Sequence, residues 1–442
     1  MNIKKISSKT TQLNLNGKII DDDNELANRF NDFFVNVGPN TEASIPKVYD
    51  KSPTEFLKER NRINLVIAHI SNEEILEVIN SLDNKSSGPS SIPVNLLSLI
   101  PDLIIMPLSF IINLSLRIGV FPDLPKIVKV IPIHKGGSTQ DINNYRPISL
   151  LSIFDKIFEK MIHNRLYAFL EINEILIPNQ FGFRKKNSTV NALIQITEKI
   201  KNSIDQGKFG CGIFIDLRKA FDTVNHDILL TKLNHYGVRD NLFDWFHSYL
   251  TDRKQYVSIN GSTSQLCDIT CGVPQGSVLG PLLFLIYIND LPNISDIIEF
   301  SLFADDTNLY LESKSLKDLE ITFNKELEKL YLWLNVNRLS LNIAKTNYII
   351  FHPYNKPLKQ NIEIKINGNL IIEKEYITYL GVQIDSTLSW KHCVYIVGKK
   401  ISRAIVIMYK LKPLVPSKVM KTIYYSLVHF QYILLENRNK LV

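Results

Sequence analysis

The sequence predicts an α+β fold in which an antiparallel sheet is backed by helices. Three observations predict it. Short apolar runs bounded by turn residues, such as "CGIFIDL" and "KTNYIIF", read as strands, while "NALIQITEKIKNSIDQG" and "SLKDLEITFNKELEKLYLWLNVNRLSLN" carry helical apolar spacing. Strands and helices alternate without the regular spacing of a doubly wound sheet. With 45% hydrophobic residues, 22 Phe and 18 Tyr, the 442-residue chain has anchors for two or three subdomains rather than one small core.

Taken in order, residues 1 to about 60 are polar and Asn-rich, with one amphipathic helix candidate, "DNELANRFNDFFVNVG", and read as a linker or leader. Residues 70–120 read as helical, opened by Ser71 as N-cap with Glu74 completing a capping box. "NKSSGPSSIP" is a loop and "IVKVIPI" a short strand. Helical spacing follows Pro147 in "ISLLSIFDKIFEKMIHNRLYAFLEI", and Gly207 stops the helix after "NALIQITEKIKNSIDQ". "CGIFIDL" is a strand ending in an acid, "DILLTKLNHYGV" a helix, and "QYVSINGSTSQLCDITCGVPQGS" two strands around an Asn-Gly-Ser turn and then a Gly/Pro loop. A helix over 278–290, the hairpin "SLFADDTNLY" and the long helix from 315 follow. "KTNYIIF" and "YITYLGVQID" read as two strands with a hairpin between them around "INGNL".

Lys and Arg exceed Asp and Glu by 51 to 44, a mild excess that permits a polyanionic partner without demanding one. It concentrates after residue 390, where ten Lys or Arg face a single acid, Glu436, as either a solvated helix face or a phosphate-tracking surface. Four irregularly spaced cysteines with no CxxC pair argue against a disulfide framework or a zinc site and fit a reducing compartment. The N-terminus has no apolar signal region, so an intracellular location is expected. The apolar runs 96–116 and 277–288 are interrupted or short, which favours buried core helices over membrane spans.

The chemistry is concentrated in carboxylates. Asp305 and Asp306 stand side by side at the tip of an apolar hairpin, where like charges repel. Three readings are open: a solvated turn, a helix cap, or a pair that holds a cation. Asp216 ends the strand "GIFID". If that strand lies beside the hairpin, three carboxylates converge, an arrangement that divalent cations would stabilise because hard ions prefer oxygen ligands.

Nine motifs now occur in an order that resembles the reverse transcriptases of LINE-type, non-LTR retrotransposons, close to the jockey-like branch. They span about 80–385: "NKSSGP", "VIPIHKGG", "NNYRPISLLS", "NQFGFRKKNST", "FIDLRKAFDTVNH", "GVPQGSVLGPLLFLIYINDL", "FADDTNLY", "LSLNIAKTNYIIF" and "TYLGVQID". The resemblance implies a right-hand polymerase fold. Its implied divisions are a connector over 1–65, a helical fingers extension over 66–125, fingers and palm over 126–385, and a basic thumb over 386–442.

The same resemblance implies roles. Asp216 and Asp305 would ligate two Mg²⁺ ions (Mn²⁺ being a workable substitute), helped by the Leu217 carbonyl, with Asp306 a weaker ligand. Phe221 would be the steric gate against a ribonucleotide 2′-hydroxyl; without the resemblance, plain core packing is the preferred reading. Arg146 would grip the incoming triphosphate with its fixed fork of donors, and Lys135 would be a second phosphate contact. Gln275 and Gly276 would approach the nascent base pair, Lys345 would support the triphosphate or the acids, and Tyr379, Leu380 and Gly381 would form the primer grip. The implied partners are an RNA template, a DNA primer and dNTPs, with no membrane, and the implied place of action is nuclear or cytoplasmic.

Ser90 and Ser91 stand where relatives carry Asp and Gly, Pro125 departs from the pattern, and the sequence after His429 leaves the expected thumb continuation. No endonuclease, RNase H or CCHC knuckle is recognisable, so a fragment or decayed copy of a larger polyprotein is expected. The alternative to an active polymerase is a non-catalytic, nucleic-acid-binding remnant. An intron maturase or telomerase-like protein is a third option, disfavoured by the wording of the motifs.

Overall fold

The structure, a computed structural model, describes residues 12–15, 17–82, 94–356, 358 and 361–429. Ser90, Ser91 and the segment after His429 lie outside the described residues. The architecture is α+β, in two units. The first comprises Met1–Ile177, Arg218–Asn293 and Trp333–Ser340; the second comprises Pro178–Leu217, Ile294–Leu332 and Leu341–Val442.

In the first unit the strands Tyr145–Leu150, Ile127–His134, Arg253–Ile259 and Ser262–Thr263 form a sheet in that order, and Cys267–Ile269 also pairs with Arg253–Ile259. Only the Ile127–His134 and Arg253–Ile259 pair is parallel. The Asn260-Gly261 turn closes the hairpin with both residues at positive φ, the geometry that matches strand twist. Helical structure does not begin right after Pro147. "YRPISL" is a strand, Pro147 lies opposite Pro132, and the helix runs from Ile153 to Ile172. Its start is set by reciprocal capping: Asp155 N–H donates to Ser152 Oγ (3.1 Å) and Ser152 N–H to Asp155 Oδ2 (2.9 Å).

Residues read from the sequence as a connector form a hairpin, Leu13–Leu15 with Lys18–Ile20, and a 21-residue helix, Asp23–Ala43. Asp22 caps the helix by accepting from Glu25 N–H (2.8 Å). Its buried face, Leu26, Phe30 and Phe34, packs into one cluster with Val128, Val130 and Val257 of the sheet. The buried Asn31 reads the sheet edge through Gln265 O (2.8 Å) and Gln255 Nε2 (3.0 Å).

The helix Pro101–Ile118 is long and apolar enough to cross a membrane by length and composition alone. It is not the fully buried core helix that the sequence suggests: Ile105, Leu108 and Ile112 are buried, whereas Leu103, Met106 and Phe110 are exposed. Elsewhere a fully buried ion pair ties the His226–Tyr236 helix to the turn that follows the Gly280–Ile288 helix. Lys232 Nζ lies 2.5 Å from Asp290 Oδ1 and 2.6 Å from Tyr287 O, and Trp333 Nε1 donates to Asp290 Oδ2 (3.1 Å).

In the second unit the sheet order is Ile372–Glu373, Asn347–Phe351, Phe209–Ile215, Asp306–Ser313, Glu299–Phe303. The Phe209–Ile215 strand is central and antiparallel to both neighbours. Leu193, Ile196 and Ile200 of the Thr189–Asp205 helix share a core with Ile349, Phe351 and Tyr310. The hairpin expected around "INGNL" is present as a small pairing of Lys365–Ile366 with Asn369–Leu370. "YITYLGVQID" is itself a hairpin, Tyr376–Tyr379 with Val382–Asp385, because Leu380 and Gly381 both take positive φ. Helices Lys391–Leu411 and Ser417–Tyr424 follow.

Burial pushes the Asp155 carboxyl up to about 7 from an ordinary 3.8, with the Glu159 charge adding to the rise and Ser152 hydrogen bonds opposing it. Between those values the folded state holds a proton that the unfolded chain releases, so this residue's contribution to stability falls as pH rises from about 4 through 7. Urea titrations at pH 5.5 and 8 test this: Asp155→Asn is expected to flatten the decline and gain roughly 1–3 kcal/mol over the parent at pH 8.

Candidate active site

Pairing of Asp306–Ser313 with Phe209–Ile215 runs to Thr307 opposite Ile215, so Asp306 and Asp216 stand at adjoining strand ends. The hairpin turns through Ala304 and Asp305, with Ala304 at φ 57°. That left-handed conformation costs a residue with a Cβ, and the surroundings impose it. Gln180, 2% exposed, accepts from Ala304 N–H (3.0 Å) and Gly182 N–H (2.9 Å) through the same Oε1. A side chain at Gly182 would overlap the Ala304 nitrogen. The "NQFGF" motif thus clamps the tip that carries the two acids.

Asp216 is held from the other side. Asn342 Nδ2 donates to its Oδ2 (2.7 Å), Asn342 N–H to its carbonyl (2.8 Å), and its own N–H reaches Thr346 Oγ1 (3.4 Å). Asn342 is a residue of the site that the sequence reading does not single out, although it sits three residues before Lys345 in a motif already quoted. Asp216, Asp306, Lys345, Tyr379 and Leu380 line one cleft of about 170 Å³. Asp305 is not among its lining residues, nor is Gly381. Tyr379 is buried, its ring edge-on to Phe214 and its hydroxyl 3.4 Å from Ser301 Oγ.

Asp306 senses its two acidic neighbours. Desolvation, then the charges of Asp305 and Asp216, push the Asp306 carboxyl up to about 6. Its side chain remains open to solvent, so the repulsion is the sturdier of those causes. Among the described residues no three His, Cys, Asp or Glu side chains form a ready metal-binding group. The donor set nevertheless fits a hard divalent cation: it is all oxygen, and its mutual repulsion is what a cation would relieve.

Leu217, next to Asp216, bridges to Leu341 within the second unit, whereas Arg146, Lys135, Phe221, Gln275 and Gly276 belong to the first. Arg146 is exposed on its strand opposite Ile133, and Lys135 is exposed, its N–H donating to Asn144 O (2.9 Å). Phe221 is partly exposed and stacks on Phe284 at 4.5 Å. Gln275 Nε2 donates to Asp222 Oδ1 (2.7 Å), and the Gln275 carbonyl accepts from Ser149 N–H (2.7 Å). Gly276, at φ 108°, lies where a Cβ would come 2.8 Å from Ser149 O. Glu159 was missed: buried at 1% exposure, it accepts from Val278 N–H (2.6 Å), Leu279 N–H (3.2 Å) and Tyr249 Oη (2.7 Å), fixing the end of the Gly/Pro loop. The glutamate of "IFEKMI" gave no signal beyond an acid at an apolar helix position.

Replacing Gln180 by Leu orphans two buried N–H groups, so the midpoint of urea unfolding is expected to drop by the equivalent of about 1–3 kcal/mol per orphaned donor. Gly182→Ala should lower it too, through overlap rather than loss of a bond.

A family profile described as reverse transcriptase (RNA-dependent DNA polymerase) matches residues 133–384. The chain is 29% identical over 354 residues to the RNA-directed DNA polymerase from mobile element jockey of Drosophila melanogaster, covering 78% of this chain and 38% of that protein. It is 34% identical over 345 residues to the probable RNA-directed DNA polymerase from transposon BS of Drosophila melanogaster, covering 74% and 37%. A retrovirus-related Pol polyprotein from type-1 retrotransposable element R1 of Bradysia coprophila is 29% identical over 288 residues, covering 63% and 28%. The chain therefore spans about two fifths of the length of the first two relatives. With the profile covering more than half of the sequence and nine motifs in order, the chain belongs to the reverse transcriptase family.

Proposed function

We propose that the chain is an RNA-directed DNA polymerase of a non-LTR retrotransposon, adding dNTPs to a DNA primer 3′-hydroxyl on an RNA template. The observation that carries this reading is the strand register that brings the acidic hairpin beside Asp216. Asp216, Asp305 and Asp306, with the Leu217 carbonyl, are the residues that would hold two Mg²⁺ ions, Mn²⁺ being an alternative. When bound, the metals supply activation of the primer hydroxyl and neutralisation of charge on the transferred phosphoryl group. Asn342 keeps the Asp216 carboxylate aimed, and Gln180 with Gly182 fixes the hairpin tip, so the ligands are preorganised. Lys345 lines the same cleft and is suited to balance its negative charge. Tyr379, Leu380 and Gly381 form the tight turn expected to hold the primer end.

On the first unit, Arg146 and Lys135 would take the triphosphate, and Gln275 with Gly276 the nascent base pair. Phe221, backed by Phe284, would present its ring as the sugar gate. In this reading the two five-stranded sheets serve as fingers and palm. The helices after Trp390, which carry Lys399, Lys400, Arg403, Lys410 and Lys421 and no acid among the described residues, serve as a thumb that tracks the phosphate backbone. The implied place of action is inside the cell, where RNA template and chromosomal primer meet.

Primer extension on an RNA template with dNTPs and Mg²⁺ tests the reading. Asp216→Asn and Asp305→Ala are each expected to reduce extension by at least about 10³-fold, as befits loss of a transition-state interaction. Hybrid binding with steep salt dependence but no extension by the parent would mean a non-catalytic remnant. Phe221→Val is expected to raise ribonucleotide incorporation by about 10–100-fold while sparing dNTP use, measured as the ratio of kcat/KM values.

A further inference from the structure

The Asp23–Ala43 helix lies wholly outside the family-matched residues 133–384, yet it touches the loops to which the proposed function assigns nucleotide selection. At Gly38 the helix backbone meets the chain at residue 222 with no room for a side chain: a Cβ there would overlap the Asp222 carbonyl oxygen and come 2.5 Å from Cys271 Sγ. The next turn adds a polar tie, Asn225 Nδ2 donating to Glu42 Oε1 (3.0 Å). One turn earlier, the Phe33 ring lies under Lys219 Nζ at 5.5 Å. The strap 219–225 is therefore held by the helix near its start, middle and end.

The strap and the Gly/Pro loop are in turn one assembly. Val273 N–H donates to Phe221 O (2.9 Å) and Gly272 N–H to Val224 O (2.8 Å). Cys271 Sγ lies 3.4 Å from Asp222 O, and Gln275 Nε2 donates to Asp222 Oδ1 (2.7 Å). Asp222 Oδ2 is closed off from solvent and has no hydrogen-bond partner among the described residues, and the Gln275 amide orients the carboxylate through its other oxygen. A shift of the strap moves Phe221 and, through Asp222, the Gln275 amide together.

We propose that the Asp23–Ala43 helix is a positioning element for nucleotide selection, with Gly38 and Glu42 setting the strap that carries Phe221 and orients Gln275 through Asp222. This rests on the reading of Phe221 and Gln275 as nucleotide-facing residues. Neither Gly38 nor Glu42 is a catalytic residue; each acts through the strap.

The test is single-nucleotide insertion on an RNA–DNA hybrid, with kcat and KM for a dNTP and the matching rNTP, on the parent, Gly38→Ala, Glu42→Ala and Phe221→Val. Urea midpoints are measured beside them. Gly38→Ala forces the strap away and is expected to raise the dNTP KM and cut dNTP-over-rNTP selectivity by about tenfold, with a smaller change in kcat. Glu42→Ala should shift selectivity in the same direction by less. If Gly38→Ala does not fold, Glu42→Ala and the conservative Glu42→Gln decide, the latter expected to restore selectivity. Folded variants that lose activity equally for both sugars, or none, while Phe221→Val relaxes selectivity, overturn the positioning role and leave the polymerase reading intact. If Phe221→Val itself leaves selectivity unchanged, the gate reading fails and this inference falls with it.

Discussion

The register of the Phe209–Ile215 strand is the constraint on which the carboxylate site depends. It is paired on both edges and buried on both faces, so its side chains must fit two layers at once. Gly210 and Gly212 make that possible: a Cβ at the first would collide with the Tyr310 hydroxyl, and one at the second would press on the Phe351 and Phe214 rings. A one-residue slip would move every side chain to the opposite face and carry Asp216 away from the hairpin. The aromatic rings lying over the glycines therefore help to lock the position of the acid that follows the strand.

Around that strand two neutral amides help to hold the site. Gln180 and Asn342 orient the hairpin tip and Asp216 without adding positive charge. An arginine in either place would have added positive charge beside the carboxylates. Buried charge elsewhere is treated differently. Lys232 and Asp290 neutralise each other, and Glu159 is surrounded by three donors. Breaking such a pair leaves an uncompensated charge, so these groups fix how their helices meet more than they add to stability.

Much of the fold was legible in the chain. The Ser71–Glu74 capping box, the strand ending at Asp216 and the hairpin of 299–313 are local features, written in residues a few positions apart. Where the reading failed, the deciding partner was distant. The "ISL" after Pro147 reads as the start of the following helix because its apolar spacing is ambiguous, and pairing with Ile127–His134 makes it part of a strand. The Asp23–Ala43 helix was visible, but its place against the sheet was not, since burial of Phe30 depends on residues such as Tyr145 more than a hundred positions away.

By itself the sequence determined the membership of the family, the residue types suited to metal, phosphate and sugar, and the local turns that present them. Motif order and short-range chemistry suffice for those. Tertiary structure alone decided which carboxylates stand together, that Asn342 and Gln180 hold them, and that a helix outside the family-matched segment braces the strap bearing Phe221. The physical reason is range: a cap or a turn is settled within a few residues, whereas desolvation, repulsion and steric contact depend on what the fold brings near.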